Sequence, residues 1–256
     1  MSLLPRAARH NTAVRETHWI PVTGTVARGF KAVRDSFLAN FEHCREIGAA
    51  IAAYQRGELV VDLAAGFRDL ISGDHYSRET LQPVFSVTKG ITALAASMLV
   101  DQGRLQLDVP VAAYWPKFAK AGKSDIPVRW PLTHQTGLLG LDEPISQEQL
   151  LNWTYVVERL AAQRPTWKPG SKHGNHSLTY GFLIGEVIRR VSGCTVSQYV
   201  HSANCCTARA DLFIGLPDQL EARVSPVLLP KPGLAPPKLP DSGPYALHTL
   251  RWISPL

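Results

Sequence analysis

The segment Ser86-Val87-Thr88-Lys89 sets a hydroxyl three residues ahead of an amine. On a helix that spacing puts both side chains on one face. A lysine flanked by apolar Val87 and Ile91 is partly desolvated, which lowers its affinity for a proton and lets it act as a base toward the serine. Ser86 also lies where a loop meets the first turn of a helical pattern. Unpaired backbone N–H groups and the positive end of the helix dipole stabilise an anionic oxygen there, whether a serine alkoxide or the oxyanion of an acyl intermediate. The chemistry implied is nucleophilic acyl transfer. An N-capping serine beside a solvated lysine has the same spacing, and a chain with 16 Ser and 9 Lys produces such a pair readily, so the residues around it must decide.

Other matches fail. Ala121-Gly122-Lys123-Ser124 looks like the end of a phosphate-binding loop, but Lys117 stands where the first glycine is required. No GxSxG, HExxH or GxGxxG run is present, and the nine histidines show no metal-ligand spacing beyond His173 and His176, three apart in a glycine-flanked loop. That pair suits surface or hydrogen-bonded histidines better than metal ligands. No metal and no cofactor is expected.

The elements that would position Ser86 and Lys89 follow from periodicity. Apolar residues at 91, 94, 95, 98 and 99 form the stripe of a buried helix face, closed by Gly103. Residues 29–41 carry Phe30, Val33, Phe37, Leu38 and Phe41 at helical spacing, and 147–162 and 178–191 are also helical. Two short apolar runs within 47–62, joined by Arg56-Gly57, predict a β-hairpin. A hairpin alone is not a stable sheet, and no later strands are evident to complete it.

Composition bounds the class. The chain has 256 residues, 45% of them hydrophobic and 19% charged, which suits a folded chain with a real core and excludes collagen-like, coiled-coil and low-complexity types. Its longest apolar run, 91–100, is too short to span a membrane. The net charge of +6 is scattered and has no nucleic-acid motif beside it, so neither nucleic acid nor membrane is an expected partner. Four cysteines without a CxxC pair fit a reducing compartment, the cytoplasm, with a mitochondrial presequence in the Arg-rich start as the weaker alternative. Nine of the 19 prolines fall in 217–256, which reads as a linker or irregular tail.

The surroundings of the Ser–Lys pair carry a resemblance. Pro83-Val84-Phe85-Ser86-Val87-Thr88-Lys89-Gly90-Ile91-Thr92-Ala93-Leu94 is similar to the nucleophile helix of the serine β-lactamase-related superfamily, which includes class C β-lactamases, penicillin-binding proteins and β-lactamase-fold esterases. Leu107-Asp108-Val109-Pro110-Val111 with Tyr114-Trp115-Pro116 resembles the segment after that helix. Leu132-Thr133-His134-Gln135-Thr136-Gly137-Leu138 resembles the family's His-Thr-Ser-Gly-Leu loop, and Trp167-Lys168-Pro169-Gly170-Ser171 its Trp-x-Pro-Gly-Thr segment. The likeness runs over residues 21–224.

It implies an α/β (α+β) fold of the β-lactamase/transpeptidase type, a helical region plus an antiparallel sheet that looks incomplete at the C-terminal end. The expected layout is a basic tail at 1–20, the β-lactamase-related domain at 21–216 and the Pro-rich tail at 217–256. The resemblance also implies a nucleophilic Ser86, a Lys89 that assists its deprotonation, and an acyl-enzyme hydrolysed by water, with small esters or amides as substrates.

Two departures stand out. The family's second motif begins with tyrosine, whereas here Asn175-His176-Ser177 has an amide that cannot serve as a general base. His176 is a conceivable surrogate, and Tyr180, five positions along the next helix, is expected to point away. The family's later Lys-Thr-Gly or His-x-Gly strand is also not visible. The competing expectation is therefore a truncated, catalytically impaired relative serving as a binding or interaction module or having no function, with self-association through an unpaired sheet edge.

Overall fold

The computed structural model describes residues 20–44, 46–207 and 210–228, the side chains of 203–207 excepted. The expected basic tail lies outside them apart from Ile20, as does 229–256 of the Pro-rich tail. The described residues form two compact units, one from 20–82 with 222–227 and one containing 83–221.

In the first unit, β2 (Gly48–Gln55) and β3 (Glu58–Asp69) form the expected hairpin. Arg56 and Gly57 both take positive φ, 51° and 85°, the geometry of a two-residue turn whose twist matches the strands. Two further strands pair with β3: β1 (Val22–Val26), which gives the order β1-β3-β2, and the short β4 (Asp74–His75). The expectation that no later strand joins the hairpin is corrected only by the two-residue β4, while β1, from before the hairpin, supplies the other neighbour of β3. β1 escapes periodicity because it has five mostly exposed residues with a glycine at its centre. Gly24 sits at φ 101°, where a Cβ would run into the Asp62 carbonyl. Alternate β3 residues Val61, Leu63 and Ala65 pack with Phe37 of α1 (Lys31–His43), and Phe37 meets Phe41 edge-to-face at 5.6 Å.

The start of the Pro-rich tail is more regular than its composition implies. A 3₁₀ turn covers Asp218–Arg223, and Val224 bridges to Leu81 in parallel. Ser225 donates its N–H to Leu81 and its hydroxyl to the Arg68 carbonyl.

The second unit is helical: α2 (Thr88–Asp101), α3 (Val111–Tyr114), α4 (Arg129–Leu132), α5 (Gln147–Leu151), α6 (Trp153–Ala162), α7 (Thr179–Ser192) and α8 (Val196–Thr207). Leu99, Trp115, Phe118, Leu138, Leu160, Leu183 and Ile188 are sealed in one core, each contributing about 1.5–3 kcal/mol of burial. The inward face of α2 is Thr92, Ala95, Ala96 and Leu99; Leu94, expected inside, is exposed. The 147–162 pattern is two helices rather than one, because the Asn152 side chain caps α6 by accepting the Tyr155 N–H at 3.0 Å. Gly193, at φ 82°, ends α7. No helix among the described residues is long and apolar enough to cross a membrane.

Candidate active site

Ser86 stands just before α2, not within it. It is the middle residue of a 3₁₀ turn, Phe85–Val87, that feeds directly into the helix. Entry is tight: Phe85 is held at φ 45°, the Val87 N–H bonds to the Val84 carbonyl, and the Thr88 N–H bonds to the Phe85 and Ser86 carbonyls. A phenylalanine in the left-handed region costs on the order of 1–3 kcal/mol, which the packed helix behind it must offset. The result turns Ser86 outward, flanked by Phe85 and Val87, which are 72% and 66% exposed. The Ser86 N–H has no acceptor among the described residues.

One turn on, Lys89 Nζ donates to Ser86 Oγ at 2.9 Å. Lys89 is half-buried, and desolvation holds its ammonium below the ordinary lysine range. The pair expected to share a face therefore does so, and the lysine's hydrogen-bond partner is a hydroxyl rather than a carboxylate.

The second-motif residues are dispersed by the fold. The Asn175 side chain is exposed and Ser177 is half-buried, while His176 is sealed. His176 Nε2 lies 2.5 Å from Thr136 Oγ1, its Nδ1 lies 2.8 Å from the Gly174 carbonyl, and burial pushes its pKa down to about 4. Both ring nitrogens are thus engaged within the fold, which leaves neither open for the surrogate-base role expected of His176. His173 is exposed and does not join it as a ligand pair, and no group of three or more metal-ligating side chains occurs among the described residues.

What sequence reasoning underrated is His134. Its backbone takes φ 61°, its carbonyl accepts the Gly174 N–H at 3.1 Å, and its Nδ1 accepts the His176 N–H at 3.1 Å. The ring packs, tilted, against Tyr180 at 5.1 Å between centroids, and Tyr180 is buried at the first turn of α7. Burial first, then the charges of Lys89 and His173, hold the His134 imidazole below the usual histidine value. The signal for it lies in the His134-Gln135-Thr136-Gly137 run of the family-like loop. Two further backbone bonds, Gly170 N–H to Gln135 and Thr166 N–H to Gly137, lace this loop to the Trp-Lys-Pro-Gly segment.

A serine with a desolvated amine beside it and an unfilled backbone donor can carry out acyl transfer. The chain is similar to known proteins over most of its length. The family model described as Beta-lactamase matches residues 35–247. The chain is 38% identical over 172 residues to Esterase/beta-lactamase LipL of Mycobacterium tuberculosis (strain ATCC 25618 / H37Rv), covering 67% of this chain and 40% of that protein. A penicillin-binding protein homolog from Caulobacter crescentus superposes with TM-score 0.79 at 40% identity, covering 82% of this chain and 57% of its own. A family VIII carboxylesterase does so with TM-score 0.77 at 38% identity, covering 81% and 57%. The chain thus spans roughly half the length of these relatives, and its helices and antiparallel sheet have the β-lactamase/transpeptidase-like fold. Ordered motifs, fold and a family match over most of its length agree: the chain belongs to the Beta-lactamase family.

Proposed function

We propose that this chain is a serine hydrolase that cleaves small esters or amides through an acyl-enzyme on Ser86. The observation that carries the reading is the 2.9 Å contact between Ser86 Oγ and the desolvated Lys89 amine. Lys89, as the free amine, takes the Ser86 proton while Oγ bonds to the acyl carbon. The unpaired Ser86 N–H is available to the oxyanion that forms. When the carbon–oxygen or carbon–nitrogen bond breaks, the Lys89 ammonium returns its proton to the leaving group. Water, deprotonated by the same amine, then releases the acid and frees Ser86. Exposed Phe85 and Val87 beside the nucleophile suit an apolar acyl chain. The names of LipL and the carboxylesterase support the ester end of this range. Asn175 offers no titratable proton, so Lys89 carries the base role without a phenol from that position. An engaged Ser–Lys pair also favours hydrolysis over the impaired binding-module reading.

The test is labelling of the purified chain with a fluorophosphonate probe. Attachment to Ser86, absent in Ser86→Ala, is expected; attachment to another serine would refute the assignment.

Two finer readings belong to the same proposal. The free thiols of Cys44 and Cys194 suit a reducing compartment, the cytoplasm. Among the described strands β2 pairs only with β3, so its outer edge is open to a second copy. Sedimentation should show concentration-dependent self-association that weakens in Ala50→Pro; a monomer at every concentration would contradict it.

A further inference from the structure

We infer that Phe85 selects the acyl group of the substrate: its ring, on the residue bonded to the nucleophile, is the contact for an extended apolar acyl chain. The preferred esters then carry butyryl or longer acyl groups rather than acetyl. This inference rests on the serine-hydrolase reading and deepens it, naming the residue that sets specificity and the class of acid released.

Phe85 carries two costs that folding alone does not explain. Its φ of 45° lies in the left-handed region, which disfavours a bulky side chain and suits glycine or asparagine. Its ring is 72% exposed, so little burial is gained in return. The three other non-glycine residues with positive φ among the described residues are each accounted for. Arg56 makes the hairpin turn, Ala121 is small and sits at a kink in the 116–122 turn, and the half-buried His134 ring packs against Tyr180. Phe85 alone joins a strained backbone to a large apolar side chain in water. Val84 and Val87 are exposed as well, so three apolar side chains within four residues rim an exposed serine. Single exposed apolar residues are common, whereas a contiguous group around a nucleophile marks a surface for an apolar ligand. Strain kept at a reactive centre without a packing gain is the pattern of a functional residue.

Covalent structure relates the ring to the reaction. In the acyl-enzyme the acyl carbon is bonded to Ser86 Oγ, so the group it carries lies among the neighbours of Ser86. Of the four substituents on the tetrahedral carbon, one is Oγ itself, and the oxyanion takes the Ser86 N–H. The leaving group draws its proton from Lys89, which lies 2.9 Å from Oγ and three residues toward the C-terminal end, and so departs on that side. The acyl chain is left the opposite, N-terminal side, where Val84 and Phe85 lead into the nucleophile. An acetyl group is too short to reach beyond Ser86, whereas the further methylenes of a longer acid lie against the ring. A methylene taken out of water is worth about fourfold in affinity, so the two that separate butyryl from acetyl give roughly 10-fold.

p-Nitrophenyl acetate and p-nitrophenyl butyrate share one leaving group, so the ratio of their kcat/KM values compares the acyl groups alone. Wild type should favour butyrate by roughly 10-fold. Phe85→Asn accepts the left-handed backbone but has no ring, and should cut that preference to less than about threefold. Phe85→Gly, which suits the same backbone, should do likewise, and Phe85→Tyr, which keeps a ring, should retain the wild-type ratio. A wild-type chain that turns over acetate as well as butyrate would overturn the proposal. So would equal losses on both esters in Phe85→Asn and Phe85→Gly, which would leave Phe85 only a positioning part beside Ser86. In each of those cases turnover still depends on Ser86 and the hydrolase reading stands. Wild-type protein that turns over neither ester through Ser86 would overturn that reading and this proposal together.

Discussion

Two charged groups on neighbouring helices of the second unit have opposite surroundings. Glu186, in the middle of α7, has a side chain with no solvent exposure, yet every lone pair it can use is taken. Arg189 binds it with two N–H bonds at 2.8 Å, Arg190 adds one at 2.7 Å and the Trp153 indole one at 2.9 Å. Burial pushes its carboxyl up, but the bonds from Arg189, Trp153 and Arg190 more than offset that and hold it below the usual carboxylate range. Lys89, at the start of α2, is also desolvated but has only a hydroxyl for company, so its proton is held loosely. A charge that is fully matched locks helices together; a charge left nearly unmatched stores reactivity. The difference separates a structural ionic cluster from a site.

The largest expected effect tests the reactive side of this contrast. Ser86→Ala should lower ester hydrolysis by at least about 10³-fold while leaving the thermal midpoint within a degree or two, because the exposed serine makes no capping bond in its 3₁₀ turn. A large drop in the midpoint would show Ser86 to be structural.

Next comes Lys89. Lys89→Met should reduce kcat/KM by about 10²–10⁴-fold. The base must be unprotonated, so wild-type activity should rise with pH along a limb whose midpoint lies below the ordinary lysine value of 10.5. A profile that is flat from neutral pH upward would remove Lys89 from the base role.

A smaller effect belongs to stability at low pH. His176 has a folded pKa of about 4 against the usual 6.5, so between those values the unfolded chain binds the extra proton. Stability should therefore be complete above pH 6.5 and decline as the pH falls toward 4, by roughly 3 kcal/mol from this group. Denaturant melts of wild type and Thr136→Val across that window would measure it, the variant showing a shallower decline as its His176 loses a partner that favours the neutral ring.

Last is the matched cluster. Glu186→Gln retains the shape but removes the charge facing two arginines that are themselves 44% and 32% exposed and can turn to water. A loss of about 2 kcal/mol in unfolding free energy is expected, with hydrolysis by the folded protein unchanged. A change in the pH limb of Lys89 in this variant would mean that the two charges communicate and are not independent.

Local signals located most of the helices, the Arg56-Gly57 hairpin turn and the Ser86–Lys89 spacing, because each depends on residues within one or two turns of each other. The same locality hid the break at Asn152, where a single side chain's cap outweighs a continuous apolar pattern, and β1, whose five residues have no periodic signature and are strands only because β3 lies beside them. It also misjudged His176, whose partner Thr136 is 40 residues away in the chain.

By itself, then, the sequence determined the family, the nucleophile candidate and its amine, through ordered motifs whose spacing has a direct chemical meaning. Tertiary structure alone decided which polar groups are used up and which remain open. Thr136 and His134 lie 40 and 42 residues before His176 in the chain, and the fold brings both within hydrogen-bond reach of it. A buried ring with both nitrogens engaged arises only when distant segments compete for the same donors and acceptors.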